Sequence, residues 1–564
     1  MKEKLFIYQL FPRLFGNRNG TNRHNGSLRE NGCGKFNDIS PTILKQLRKS
    51  GYTHIWYIGI PAHASSTDYT EYGIPVQYPE IIKGKAGSPY AIRDYYDVDP
   101  DLAEEVALRM EEFEALVERT HQAGLKVITD FVPNHVARNY RSVSRPPGIG
   151  ELGENDDDAV AFSPQNNFYY LPGHSLKMEL SPGKKSRFTY GEKPAKATGN
   201  DCFTHTPTVY DWYETVKLNY GVDYLNGMQE YFEPLPDTWI KMRDILLFWA
   251  SKQIDGFRCD MAEMVPLPFW QWVIPQVRER YPGIIFLAEI YHPSLYRDFL
   301  GNRLFDYLYD KVGLYDVLHE VSCGYKPSSE ITFSLNHVGD IQHRMLTFME
   351  NHDEQRIASG FFLKEGEKGK AAMIVTCTVN SNPVMVYNGQ ELGERGMDNE
   401  GFSGVNGRTT IFDYWSVDTL RRWHNNGKWN DLLLTSREKE LQLFYRRLIT
   451  LCNQEEALSS GLFYDLMPAN YENPDFDSAK LFAYLRGNGN DLLLIIVNFD
   501  PSPRECTLHI PQHAYSFFGT EESGEGKLTP LLQKENETLL FSYDFPYRIQ
   551  LAGLSGEIYR ITFL

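Results

Sequence analysis

Short apolar runs alternate with longer amphipathic stretches through most of the chain. Strand-like runs fall at residues 5–10, 54–60, 125–131, 254–260, 284–289, 304–308, 345–350 and 384–387. Between several of them lie stretches of helical pattern, among them residues 41–49, 102–123, 237–252 and 269–280. Apolar runs of four to eight residues read as buried strands. Apolar positions recurring at i, i+3 and i+4 read as helices covering one face. Their alternation predicts βαβ units on a parallel sheet, hence the α/β class. Eight such strands predict a closed (β/α)8 barrel, the TIM barrel.

Two regions break this rhythm. Residues 136–225 are rich in Gly, Pro, Asn, Asp and aromatics and follow the third strand. A long irregular insert inside a compact domain is usually functional. From residue 456 onward strand patterns dominate, at 480–485, 492–498, 505–510, 538–543 and 557–563. They predict an appended antiparallel β-sandwich. The domain reading is a barrel from residues 1–135 and 226–455, an insert at 136–225, and a C-terminal domain at 456–564.

Polar clusters stand at the C-terminal ends of the predicted strands, the end where barrels carry their active sites. The third ends in Asp130 and runs on to Asn134-His135. The fourth ends in Arg258-Cys259-Asp260, the fifth in Glu289, and the seventh in Glu350-Asn351-His352-Asp353. Residues two apart on a strand share a face, so Arg258 and Asp260 are predicted side by side. An Arg beside an Asp lowers its pKa and fixes its aim, which predicts a permanently ionised Asp260. Carboxylates crowded into one cleft acquire separated pKa values, an acid and a base. Paired carboxylates are the machinery of glycoside hydrolysis.

Composition narrows the partners. The 564 residues are 42% hydrophobic, enough for a large core, and 14% aromatic. Tyr and Trp suit sugar rings, offering an apolar face and a polar tip. The formal net charge is -17, which favours neither nucleic acid nor an anionic membrane. The seven cysteines are dispersed and form no CxxC pair, a pattern of reduced thiols rather than a disulfide framework or zinc site. The N-terminus runs directly into an apolar strand without the features of a signal peptide. No run of 18 apolar residues predicts a membrane span. A cytoplasmic protein is expected.

These motifs together resemble the conserved regions of the α-amylase family of retaining glycoside hydrolases and transglycosylases. Asp130 with Asn134-His135 is similar to the family's first region, Gly256-Phe257-Arg258-Cys259-Asp260 to its second, Glu289 to its third, and Asn351-His352-Asp353 to its fourth. Tyr90 to Tyr96, Val222 to Asn226 and Pro383 to Glu391 resemble further family segments. The resemblance implies Asp260 as nucleophile and Glu289 as general acid and base, the latter a role that asks the group to carry a proton. It implies Asp353 as the carboxylate that binds sugar hydroxyls and stabilises the transition state. Arg258, His135, His352, Tyr90 and Asp130 would bind or support the reacting sugar, with Tyr90 as its stacking platform. Where many α-amylases have Lys-His after the nucleophile, this chain has Glu263-Met264, which puts the usual contacts on the leaving-group side in doubt. Asn134 is kept, so a structural calcium is implied there, although no cofactor is required for the chemistry. The acidic run Asp156-Asp157-Asp158 reads as a solvated turn.

The leading expectation is an enzyme that hydrolyses α-1,4 bonds of maltodextrins with retention. A 4-α-glucanotransferase or branching-type transglycosylase would use the same intermediate. Acceptor-side aromatics, with Tyr210, Trp212 and Tyr213 as candidates, would favour sugar over water. A non-catalytic carbohydrate-binding protein on the same fold is the alternative from another class; such a protein would have no need of all three carboxylates.

Overall fold

The structure is a computed structural model. It describes residues 3–178, 190–489, 491–520, 525–533, 538–542 and 547–563. Eight strands make one parallel sheet: β1 (Phe6–Leu10), β2 (His54–Tyr57), β3 (Lys126–Phe131), β4 (Gly256–Cys259), β5 (Ile285–Ala288), β6 (Tyr307–Tyr309), β7 (Met345–Leu346) and β8 (Val384–Tyr387). They pair in chain order, and β8 returns to β1 with Phe6 opposite Val384. A parallel bridge between Thr347 and Val384 joins the last gap. The predicted barrel is therefore present. Closure leaves no free edge, so even the short β7 finds partners on both sides.

These strands are almost wholly buried, because helices coat the outside and side chains fill the inside. Helix α1 (Pro41–Lys49) shows the logic. Pro41 sits at its first position, Ile43, Leu44 and Leu47 face the barrel, and Arg48-Lys49 lie in the last turn. Helices α2 (Arg109–Gln122), α3 (Asp237–Ser251) and α4 (Leu267–Arg280) follow the other predicted amphipathic stretches. Gly256 opens β4 because a Cβ there would meet Ile285 Cγ1 at 2.6 Å. That close approach sets β4 against β5, the two strands that carry Asp260 and Glu289.

The sixth strand departs from expectation. Residues 304–306 are not in it, and it runs on to Tyr309; Phe305 N–H bonds back to Phe299 O. Asn302 and Arg303 adopt left-handed conformations just before it, so the chain is still turning where the apolar run begins. Apolar content alone does not reveal that.

Among the described residues, the irregular segment after β3 contains only two- and three-residue strands. Its pair His135–Ala137 with Thr215–Lys217 lies beside the barrel mouth. At the C-terminus, antiparallel strands form a six-stranded sheet and a separate two-stranded sheet. The central partners are Leu481–Asn488, Asp491–Asn498 and Ser555–Phe563. Tyr543, expected at the end of a strand here, lies outside the described residues. Among the described residues, no helix is long and apolar enough to cross a membrane.

Candidate active site

The carboxylates predicted at the strand ends come together around Arg258. In register, Arg258 stands opposite Asp130 of β3 and Leu287 of β5. Asp260 follows β4 directly, and its N–H continues the ladder to Phe131 O. Glu289 follows β5, with its N–H on Cys259 O. Arg258 Nη1 donates to Asp260 Oδ1 at 2.8 Å and to Asp130 Oδ1 at 3.3 Å. Its Nη2 is 2.6 Å from Glu289 Oε2, an ion pair without hydrogen-bond alignment. The guanidinium is fully buried and caged by the rings of Trp56, Tyr90 and Tyr309 at 5.2, 5.3 and 5.6 Å. Burial opposes its charge, yet Glu289, Tyr309, Tyr90 and Asp260 hold it well above the ordinary value.

The expectation of a permanently ionised Asp260 needs correction. Burial, together with Glu289, Asp130 and Asp353, pushes Asp260 well above the usual carboxylate range, against the lowering by Arg258. One cation among three buried carboxylates does not neutralise them. Asp130, which also accepts from Trp56 Nε1, is raised by burial against Arg258 and His352. Asp353 moves the other way. Burial works against it, but His352, Arg258 and Arg408 bring it down to about 2. It is 44% exposed and lies 3.0 Å from His352 Nε2. Its aim comes from Asn351, whose Oδ1 accepts from the N–H groups of Asp353 and Glu354, an Asx turn. Glu350 does not join the cluster, for it is bound to Arg356 and Ile357 N–H.

A cavity of about 330 Å³ opens over this cluster. Asp260, Glu289, Asp353, Tyr90 and His135 line it. Arg258, Asp130 and His352 do not; they stand behind the wall. Tyr90 stacks on His352 at 5.2 Å and its hydroxyl meets His352 Nε2 at 2.6 Å. His135 is brought down to about 3 by burial, Lys217 and Lys83, so it is neutral and offers one N–H. Of the aromatics considered on the acceptor side, Trp212 lines the cavity 5.3 Å from His135. Tyr210 is 93% exposed, outside it, and Tyr213 is buried beneath Lys83.

Several residues escaped the sequence reading. Tyr291 lines the cavity and donates to Glu289 Oε1. Burial and the Glu289 charge push its hydroxyl up, so it remains a donor. Met261 takes a left-handed conformation (φ 43°) that turns its N–H onto Glu289 Oε2 at 2.9 Å. Glu263, the departure noted above, accepts from Tyr291 N–H and His292 N–H at 3.0 and 3.1 Å. Its carboxylate fastens the segment that delivers Tyr291. A carboxylate at that position was visible in the sequence, but its partner was not.

The residues around Asn134 do not fit a calcium site. Asn134 Oδ1 accepts from Lys217 Nζ at 2.8 Å, and Nδ2 donates to Gly199 O. Lys217 is buried and paired with Asp201. An ammonium thus already meets the oxygen that a cation would take. Among the described residues, no three His, Cys, Asp or Glu side chains group so as to hold a metal. Asp156 accepts from Asn167 N–H, Phe168 N–H and the Tyr170 hydroxyl, closing its turn.

Fold and site together define an eight-stranded α/β barrel with carboxylates clustered at the C-terminal ends of its strands. The α-amylase catalytic-domain family model matches residues 9–284. A cyclomaltodextrinase of a Bacillus species is 22% identical over 534 residues, covering 93% of this chain and 77% of the relative. α-Amylase MalA of Haloarcula japonica is 24% identical over 431 residues, 75% of this chain and 50% of the relative. The maltogenic α-amylase AmyB of Thermotoga neapolitana shares the fold, with a TM-score of 0.63 at 20% identity and 99% coverage of both chains. The family match and these relatives support the α-amylase family for this chain.

Arg258→Met removes the cation and leaves its carboxylates buried together. Unfolding at pH 7 should show a loss of about 3–5 kcal/mol, as for other broken buried pairs. Carboxylates raised in the folded state bind protons there first, so stability is gained as pH falls. The deficit should therefore shrink between pH 7 and pH 5. A deficit independent of pH would contradict this electrostatic picture.

Proposed function

We propose that this enzyme opens α-1,4 bonds of maltodextrins by double displacement with retention. Its match to the α-amylase family supports a glycosidase or transglycosylase acting on α-glucans. The observation that carries the finer reading is the Arg258 fork, whose two terminal nitrogens face Asp260 and Glu289. One guanidinium spanning both carboxyls favours the close spacing of retaining enzymes, about 5–5.5 Å, over the wider inverting one.

Asp260 attacks the anomeric carbon as the bond to the leaving oxygen breaks, and Glu289 gives that oxygen its proton. A glycosyl ester on Asp260 results. Glu289, now a base, takes a proton from water; the water oxygen bonds to the anomeric carbon, and Asp260 leaves as carboxylate. Asp353, kept ionised, accepts sugar hydroxyls and faces the positive charge of the transition state. Tyr90 offers its ring to the sugar and His135 its N–H. The seven free cysteines support a cytoplasmic setting.

The same reading gives Lys217, rather than calcium, the task of holding Asn134. A chelator should leave the melting temperature unchanged, while Lys217→Met should cost about 1–3 kcal/mol of stability by leaving the buried Asn134 Oδ1 unpaired. Stoichiometric calcium in untreated protein would overturn it.

On maltoheptaose, NMR of the first product should show the α-anomer, and Asp260→Asn should lower kcat by at least about 10⁴-fold. A β-anomer at first release would contradict the mechanism. Oligosaccharides longer than the substrate would assign the chain to the transglycosylases.

A further inference from the structure

Three segments meet at one side of the active-site cavity. Lys83, from the stretch after β2, pairs with Glu214 of the irregular insert, Nζ to Oε1 2.9 Å. The Lys83 ammonium also faces the rings of Tyr213 and Phe412, at 5.6 and 5.9 Å. Phe412, beyond β8, is stitched to the Lys83 segment, for its carbonyl accepts from the N–H groups of Ala86 and Gly87. Gly84 makes that approach feasible: it is left-handed (φ +67°), and a Cβ there would lie 2.1 Å from Phe412 O. Lys83, Glu214 and Phe412 all line the cavity.

This side groups with His135 rather than with the proton donor. The proton donor Glu289 and its partner Tyr291 mark the leaving-group side. Lys83 instead acts on His135, which packs on Trp212. Glu214 is 4% exposed, and its second oxygen, Oε2, has no partner. A buried unpaired carboxylate oxygen costs free energy unless a ligand hydroxyl reaches it. The cavity itself, at about 330 Å³, is at the low end of ligand sites, which run from roughly 300 to 1,000 Å³.

We infer that the Lys83–Glu214 pair, with Phe412, forms an end wall that receives the non-reducing terminus of the glucan. Glu214 Oε2 accepts a hydroxyl of the terminal sugar and Lys83 donates to another. The enzyme then takes short maltodextrins from their non-reducing ends rather than cutting within long chains. This rests on the glycosidase reading above.

The test compares maltoheptaose with its derivative whose terminal 4- and 6-hydroxyls are tied as an ethylidene acetal, products being followed by chromatography. The acetal removes the hydroxyls the wall would bind and adds bulk against Phe412. The wild type should show kcat/KM at least tenfold lower on the blocked substrate. Lys83→Ala should bring the two within about threefold, and Lys83→Arg should restore the discrimination. Glu214→Gln, which keeps the shape and loses the charge, serves if Lys83→Ala does not fold. Equal kcat/KM for the wild type on both substrates would overturn the wall. Cleavage of neither would refute the glycosidase reading. Calorimetry on Asp260→Asn then decides the wall independently. Maltotriose binding at least tenfold tighter than its acetal supports it, and equal or absent binding overturns it.

Discussion

A single buried guanidinium faces three carboxylates at the mouth of the barrel, and the rest of the site is arranged around that imbalance. Asp130, Asp260 and Glu289 all contact Arg258. Fully ionised, they would leave two net negative charges out of water, at several kcal/mol per ion. The cheaper state retains a proton within the cluster, as the upward shift of Asp260 reflects. Coupled groups share such a proton, so it belongs to the set rather than to one residue. The proposed cleavage needs one proton for the leaving oxygen, and the electrostatics that strain the cluster favour holding a proton within it.

The fold enforces the arrangement. Arg258 and Asp130 face each other through strand register, and Asp260 and Glu289 begin where β4 and β5 end. Trp56 and Tyr309 wall the guanidinium from below, with Tyr90 toward the cavity. The cation therefore has no path to water that would relieve its carboxylates. Asp353 stays outside this economy: partly exposed and beside His352, it remains ionised when the inner cluster does not.

Much of this was legible in the chain. The two-residue period placed Arg258 beside Asp260, and the alternation of short apolar runs with helices placed Asp130, Glu289 and Asp353 at one end of a barrel. Residues linked through local periodicity or strand order were found. Those linked by side chains from distant segments were not, because no local pattern records a contact such as Lys217 with Asn134, or Lys83 with Glu214. Tyr291 was missed for a related reason, since only its position beside Glu263 and Glu289 in space gives it a role. The ionisation of Asp260 was misjudged because an i, i+2 pair shows the nearby arginine but not the burial and the other carboxylates.

The central claim is that Asp260, held by Arg258 and loaded by its neighbours, forms the covalent bond to sugar. Mass spectrometry after incubation of the Glu289→Gln variant with 5-fluoro-α-glucosyl fluoride tests it most directly. Losing the acid and base slows release of the ester, while fluoride leaves without a proton. One glycosyl unit should appear per chain, on the peptide that carries Asp260. A label on another residue, or turnover of this donor with no label on the chain, would contradict the account.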